Sequence, residues 1–374
     1  MSNNSSRIDM KTIFEKFKEK AGISKIGKVL GRGAFGEVRE VTIKNKIFAG
    51  KIIKRERDEK SEEEKFGKDL VGKNIIKINK IYTKKIDDNY YDLIVMEKAI
   101  LRDLGKLNEF FHRHNLLKLI YIPFIEKAGD NLLRFYSNQI INSLETLDRN
   151  YYVHFDLKPE NLLISIGLII KLSDFSILRK IKTENENQNS TRIPGGTHGY
   201  LSPEYFINKQ VSLEDARKQD YFALGLCLFI IKYGNQMLKY KKYEDNTMIA
   251  NRILDLLQKN ITLIQSNKLT NREFIDFLCR LIQYRPKDRP SFEQIYRNKW
   301  LNRNKNYIKS TFLLFENDEE KLIMELQKND FLIQKEKDKI EKEKKIKKDL
   351  ESKNLKNKIN NNSRFRFKKK LKNE

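Results

Sequence analysis

Two short runs of this chain, Tyr152 to Asn161 and Lys171 to Phe175, hold Asp156, Lys158, Asn161 and Asp174. Their types are those that transfer of a phosphoryl group from a nucleoside triphosphate demands. That reaction needs little covalent work from a protein. It needs a carboxylate to orient the attacking hydroxyl, a lysine for the charge on the moving group, and two ligands for Mg2+. Asp156 suits the first task, Lys158 the second, and Asn161 with Asp174 the third.

Triphosphate binding also needs backbone that can come close to the phosphate oxygens. Gly31, Gly33 and Gly36 lie between the apolar run Ile26 to Leu30 and the alternating stretch Val38 to Ile43, which reads as strand, glycine turn, strand. Glycine permits the close approach, and Phe35 at the tip would keep water from the reaction. A dinucleotide-binding turn would lead into a helix instead, and no helical pattern starts after Gly36. Phe48 to Ile53 reads as another strand and carries Lys51. Leu93 to Ala99 is an apolar strand that ends in a polar turn.

These runs resemble the eukaryotic protein kinase superfamily, in its serine/threonine form. The family's catalytic loop, His-Arg-Asp-x-x-x-x-Asn, corresponds to His154, Phe155, Asp156 and Asn161, and its Asp-Phe-Gly to Asp174, Phe175 and Ser176. The resemblance implies an α+β, bilobal fold: a five-stranded antiparallel N-lobe with one regulatory helix, and a mainly helical C-lobe. It implies Asp156 as catalytic base with Lys158 beside it, Asn161 and Asp174 as Mg2+ ligands, and ATP as the phosphoryl donor to protein substrates. Lysine at position 158 is what serine/threonine kinases carry.

For the nucleotide, the resemblance implies Leu30, Gly31, Gly33 and Gly36 over the phosphates and Lys51 on the α and β phosphates. A glutamate of the following helix would pair with Lys51; Glu63 aligns without a gap and Glu62 stays an alternative. Met96 would be the gatekeeper, Glu97 and Ala99 the backbone contacts to adenine, and Val38, Ala49 and Leu163 the apolar sandwich around it. Asp103 would reach the ribose. Gly196 to Glu204 matches the end of the activation segment, Glu204 is expected to pair with Arg289, and Asp220 to brace the catalytic loop.

Two departures carry information. Phe155 stands where many members have an arginine that pairs with an activation-segment phosphate, and a phenyl ring makes no such contact. Activity independent of that phosphate is therefore expected. Ser176 replaces a glycine and biases the inward and outward states of Asp174. A pseudokinase or scaffold that binds ATP or partner proteins without efficient transfer is the alternative reading of the two changes. Retention of Lys51, Asp156, Asn161 and Asp174 argues against it.

At 374 residues and 44.6 kDa the chain fits one two-lobed kinase domain with extensions. The expected division is an N-terminal extension over 1–22, a kinase domain over 23–301 with lobes 23–98 and 99–301, and a charged, basic tail over 302–374, partly helical or disordered. In the extension, Ile13, Phe14 and Phe17 fall on one helical face, a stripe expected to dock on the upper lobe. Residues between Phe110 and Leu132 read as an insertion, and its His112 and His114 as a surface loop rather than a metal site.

Net charge is +25 and the pI about 9.7. Lysine abundance in every segment accounts for much of this, and the tail adds a possible site for acidic partners, nucleic acid or an anionic membrane. Two cysteines allow no disulfide framework beyond one pair. The longest apolar run, Tyr221 to Ile231, is too short for a transmembrane segment. A cytoplasmic or nuclear location is expected.

Overall fold

Met10–Ala21 forms helix α1, with Ile13, Phe14, Phe17 and Ala21 buried along one face. It stops at Gly22, whose N–H turns back to the carbonyls of Lys18 and Glu19; at φ 66° this is a left-handed position that favours glycine. The computed structural model describes residues 9–33, 36–55, 64, 66, 69–99, 101–106, 122–165, 169–181, 190–207, 209–233 and 272–302. Phe35, Glu62, Glu63, the His112 and His114 pair, Thr183 and the tail from 303 lie outside the described residues.

Five strands follow α1: β1 (Ile23–Gly33), β2 (Gly36–Ile43), β3 (Lys46–Arg55), β4 (Ile78–Ile86) and β5 (Asn89–Met96). They make one antiparallel sheet of order β1-β2-β3-β5-β4, as the resemblance implies. Lys44 and Asn45, at φ 47° and 60°, close the β2–β3 hairpin in two residues. Two left-handed residues give such a turn the twist of the flanking strands.

Register assigns the two faces of the sheet. Val38 opposes Lys51, Lys51 opposes Ile94 and Ala49 opposes Met96, so these side chains share one face. The other face carries Val41, Ile52, Leu93 and Val95, which form one core with Ile13, Phe14 and Phe17. Helix α1 therefore covers the side turned away from Lys51. A Cβ at Gly50 would come within 3.0 Å of Val41 and 3.3 Å of Phe14. The closeness of helix and sheet depends on that missing side chain.

The rest of the chain runs β6 (Leu101–Asp103), α2 (Ile122–Arg149), β7 (Tyr152–Val153), β8 (Leu162–Ser165), β9 (Ile169–Leu172), β10 (Arg179–Lys180), β11 (Ser190–Arg192), α3 (Pro203–Ile207), β12 (Gln210–Ser212), α4 (Leu213–Tyr233), α5 (Arg272–Leu281), α6 (Phe292–Tyr296) and α7 (Lys299–Asn302). The short strands pair antiparallel as β6-β8-β9, β7-β10 and β11-β12. Helix α4 is the buried centre: Phe222, Leu224, Leu226, Cys227 and Leu228 have no accessible surface. Cys227 and Cys279 are both free, and burial pushes each thiol up. Among the described residues no helix is long and apolar enough to cross a membrane.

Two polar joints hold this scaffold in register. Before β4, the Asn74 carbonyl accepts from Leu172 N–H at 2.9 Å and Ile76 N–H donates to the Leu172 carbonyl at 2.9 Å. The Asn74 side chain donates to Gln139 of α2 at 3.0 Å and to the Ile170 carbonyl at 2.9 Å. Farther down, Arg289 grips both oxygens of Glu204 at 2.7 Å each, with both residues buried. This is the ion pair expected from the sequence.

Candidate active site

The loop between β7 and β8 is held by Asp220 of α4. Its carboxylate accepts from His154 N–H at 2.8 Å and Phe155 N–H at 2.9 Å. Phe155 at φ 64° lets the two successive N–H groups converge. Burial pushes the Asp220 carboxyl up, against the opposing pull of His154 and the two N–H bonds.

Beyond this brace the loop presents Asp156 within a set of donors. Oδ1 accepts from the Thr197 N–H at 2.8 Å and the Thr197 hydroxyl at 2.7 Å. Oδ2 accepts from Lys158 Nζ at 2.6 Å and Asn161 Nδ2 at 3.1 Å. Lys158 Nζ also donates to Thr197 Oγ1 at 2.6 Å. Three residues thus fix the plane of one carboxylate.

Asn161 Nδ2 donates as well to the Asp156 carbonyl at 2.8 Å, so the amide oxygen faces the other way. Ser173 ties the loop to the residue that follows it: its N–H and hydroxyl donate to the Asn161 carbonyl at 2.9 and 3.0 Å. His154 Nε2 lies 3.0 Å from the Ser173 carbonyl. Asp174 stands next, at φ 64°.

Lys51 Nζ of β3 donates to Asp174 Oδ1 at 2.7 Å, and Ser176 Oγ reaches the same oxygen at 3.0 Å. Burial pushes the Asp174 carboxyl up, but the charge and hydrogen bond of Lys51, with the Ser176 bond, outweigh it and hold the group down at about 2. The carboxylate is therefore ionised at neutral pH. Phe175 backs it, 2% exposed and edge-on to His154 with 5.7 Å between ring centroids. Asp174 is in its inward position.

An ionised carboxylate and an amide oxygen are hard donors that suit Mg2+, which takes only one or two protein ligands when phosphate oxygens supply others. Asp174 and Asn161 could hold the ion in that way.

The glycines divide by role. A Cβ at Gly31 or Gly33 would meet nothing within 4 Å, so these two leave open space over the cleft. Gly36 has φ 151°, and a Cβ there would sit 1.8 Å from the Ile52 carbonyl oxygen. Its need is packing of β2 on β3. Leu30 ends the apolar part of β1, while Val38, Ala49 and Met96 share the Lys51 face and Leu163 lies half-buried in β8.

Glu97 and Ala99 follow β5. Glu97 N–H donates to the Lys77 carbonyl at 3.0 Å, and its carboxylate accepts from Lys77 N–H at 2.8 Å and lies 3.0 Å from Lys171 Nζ. Asp103 ends β6. It is buried, and its carboxylate accepts from the Lys106 N–H and Nζ, both at 2.8 Å. The turn that opens immediately after β6 engages it.

Phe155 is 2% exposed in a cluster with Val153, Ile181, Ile193, Val211 and Ala216; Ile177, Tyr205 and Leu213 pack against it. Ile177, Ile181, Ile193 and Tyr205 come from the stretch between Asp174 and Tyr205, and Val211, Leu213 and Ala216 from β12 and α4. Strand pairing fixes that stretch at both described ends, through β10 on β7 and β11 on β12. Thr197 is the site residue that sequence reasoning missed. It stands in the Gly-Thr pair before Ser202, and only the fold carries it back to Asp156.

A family described as Protein kinase domain matches residues 24–301. The chain is 27% identical over 259 residues to the serine/threonine-protein kinase MRCK beta of Rattus norvegicus, covering 64% of this chain and 14% of that protein. It is 29% identical over 218 residues to MRCK alpha of Homo sapiens, covering 55% and 11%. It is 27% identical over 289 residues to the Aurora kinase of Saccharomyces cerevisiae, covering 75% and 70%. The chain spans only 14% of MRCK beta and 11% of MRCK alpha, so the similarity is to part of each protein. With the sheet, the braced loop and the Lys51–Asp174 pair in place, the chain belongs to the protein kinase domain family.

Proposed function

We propose that this chain is a serine/threonine protein kinase that transfers the γ-phosphate of Mg-ATP to protein hydroxyls. The observation that carries the reading is the Lys51–Asp174 pair at 2.7 Å, beside a loop in which Asp156 is bonded to Lys158, Asn161 and Thr197. Asp156 orients the substrate hydroxyl and takes its proton. Lys158 balances charge on the moving phosphoryl group. Asn161 and Asp174 would hold Mg2+, which would supply positive charge to the phosphate oxygens. Lys51 positions the α and β phosphates, and Leu30, Val38, Ala49, Met96 and Leu163 surround the base, with Glu97 and Ala99 offering backbone groups.

The test is transfer of labelled γ-phosphate from Mg-ATP to a generic basic protein and to the chain itself, against Asp156→Ala. The expected product is phosphoserine or phosphothreonine, lost in the variant. Nucleotide binding by folded wild type without transfer would favour the scaffold reading.

Regulation follows from Phe155. Its buried apolar cluster engages Ile177, Ile181, Ile193 and Tyr205 of the activation segment without a phosphate, so enzyme treated with phosphatase is expected to keep its rate; strict dependence on phosphate would refute this. The domain extends over 23–301, consistent with the family match at 24–301. The basic tail gives acidic partners a place to bind, and the location is cytoplasmic or nuclear.

A further inference from the structure

The covered face of the sheet holds a carboxylate that phosphoryl transfer does not use. Glu37 of β2 is 4% exposed, on the side packed by α1. Both of its oxygens are engaged: Arg32 Nε donates to Oε2 at 2.6 Å and Arg39 Nε to Oε1 at 2.5 Å. Arg32 and Glu37 oppose each other directly across the hairpin, one step before Gly33 and Gly36. The Arg32 side chain is 72% exposed and that of Arg39 only 13%. Solvent screens the first arm much more than the second.

Arg39 leads on to α1. Its guanidinium carbon lies 6.0 Å from the centroid of the Phe14 ring. Phe14 is fully buried and stands against Gly50, the residue before Lys51. Helix α1 thus backs two phosphate-facing elements at once, the glycine hairpin through Arg39 and Glu37, and the Lys51 strand through Gly50.

Stability alone is a poor reason for this arrangement, because apolar side chains of similar volume often serve as well as a buried ion pair. What two directional, charge-assisted bonds add is geometry. The Arg32 bond ties β1 to β2 and the Arg39 bond, within β2, holds the Glu37 carboxylate in place for it, where the chain passes into a turn rich in glycine, the residue with the most conformational freedom to restrict.

We infer that α1, acting through Phe14, Arg39 and Glu37, positions the glycine hairpin and so sets the affinity for the nucleotide triphosphate. Glu37 and Arg39 are positioning residues, and α1 is a handle outside the cleft: lifting it weakens nucleotide binding without contact with the nucleotide. This rests on the Mg-ATP reading given above.

The experiment compares the full-length wild type with Glu37→Gln, Arg39→Gln and Ile86→Val. Mg-ATP affinity is measured by calorimetry, kcat and both KM values by phosphate transfer to a generic basic protein, and Tm by thermal melting. Glu37→Gln and Arg39→Gln are expected to raise the Kd and KM for ATP about three- to tenfold, with kcat and the protein KM within about twofold. Ile86→Val is the control. It trims the same core at β4, the opposite edge of the sheet, and is expected to lower Tm while leaving nucleotide affinity unchanged.

Unchanged ATP affinity in a folded Arg39→Gln protein overturns the inference, as does an equal loss in Ile86→Val. Should Glu37→Gln fail to fold, Arg39→Gln decides alone. Wild type that binds nucleotide while the variants match it refutes only the positioning role. Wild type that binds none refutes the Mg-ATP reading and the inference together.

Discussion

The hydroxyl of Thr197 donates to Asp156 and accepts from Lys158, so a single oxygen sets the spacing of the two groups that would act on the transferred phosphoryl. Thr197→Val removes it while keeping the shape. The expected result is a fall in kcat of about ten- to a hundredfold with KM for ATP little changed, recovered in Thr197→Ser, as steady-state kinetics would report. Asp156, Lys158, Asn161 and Asp174 could be read as a set from type and short spacing, and the structure brings them together. The bonds of Thr197 could not be read, since its partner stands 41 positions away and the match over Gly196 to Glu204 assigns the threonine no contact. Glu37 was also invisible, because its partners depend on cross-strand register.

At the scale of elements, α1 was the most readable and is among the most consequential. Its stripe has the helical period, and Ile13, Phe14 and Phe17 are each at most 1% exposed. Phe17→Ala should cost about 3–5 kcal/mol, since the surrounding core can close only partly over the lost ring. Chemical denaturation monitored by far-UV circular dichroism checks it; a loss below about 1 kcal/mol would mean that the helix is only loosely seated. The glycine hairpin was legible as strand, turn, strand, but the separate reasons for its glycines were not. Gly31 and Gly33 leave open space, whereas Gly36 avoids a collision with the Ile52 carbonyl oxygen, a distinction that requires knowing how β2 lies on β3.

For the molecule as a whole, the joint between Glu204 and Arg289 fastens the end of the activation segment to the helical lobe. Both partners are buried, so Glu204→Gln leaves a guanidinium without its counter-charge. A loss of about 3–5 kcal/mol is expected, and Glu204→Gln combined with Arg289→Met should lose less than the two single changes summed; urea denaturation of the three variants measures this. The pair was readable because both residues stand in family motifs. The Phe155 cluster was readable only as an absence, an arginine replaced, and not as the apolar centre it forms with Ile181, Ile193 and Val211. A segment held by apolar contact responds to its surroundings differently from one held by a phosphate and an arginine. Its hold gains little from low ionic strength and weakens on cooling, as burial of apolar surface does. Hydrogen exchange at Ile193 and its neighbours should therefore stay protected in high salt and loosen in the cold, so that on the kinase reading proposed above readiness to act would depend on temperature more than on the ionic medium.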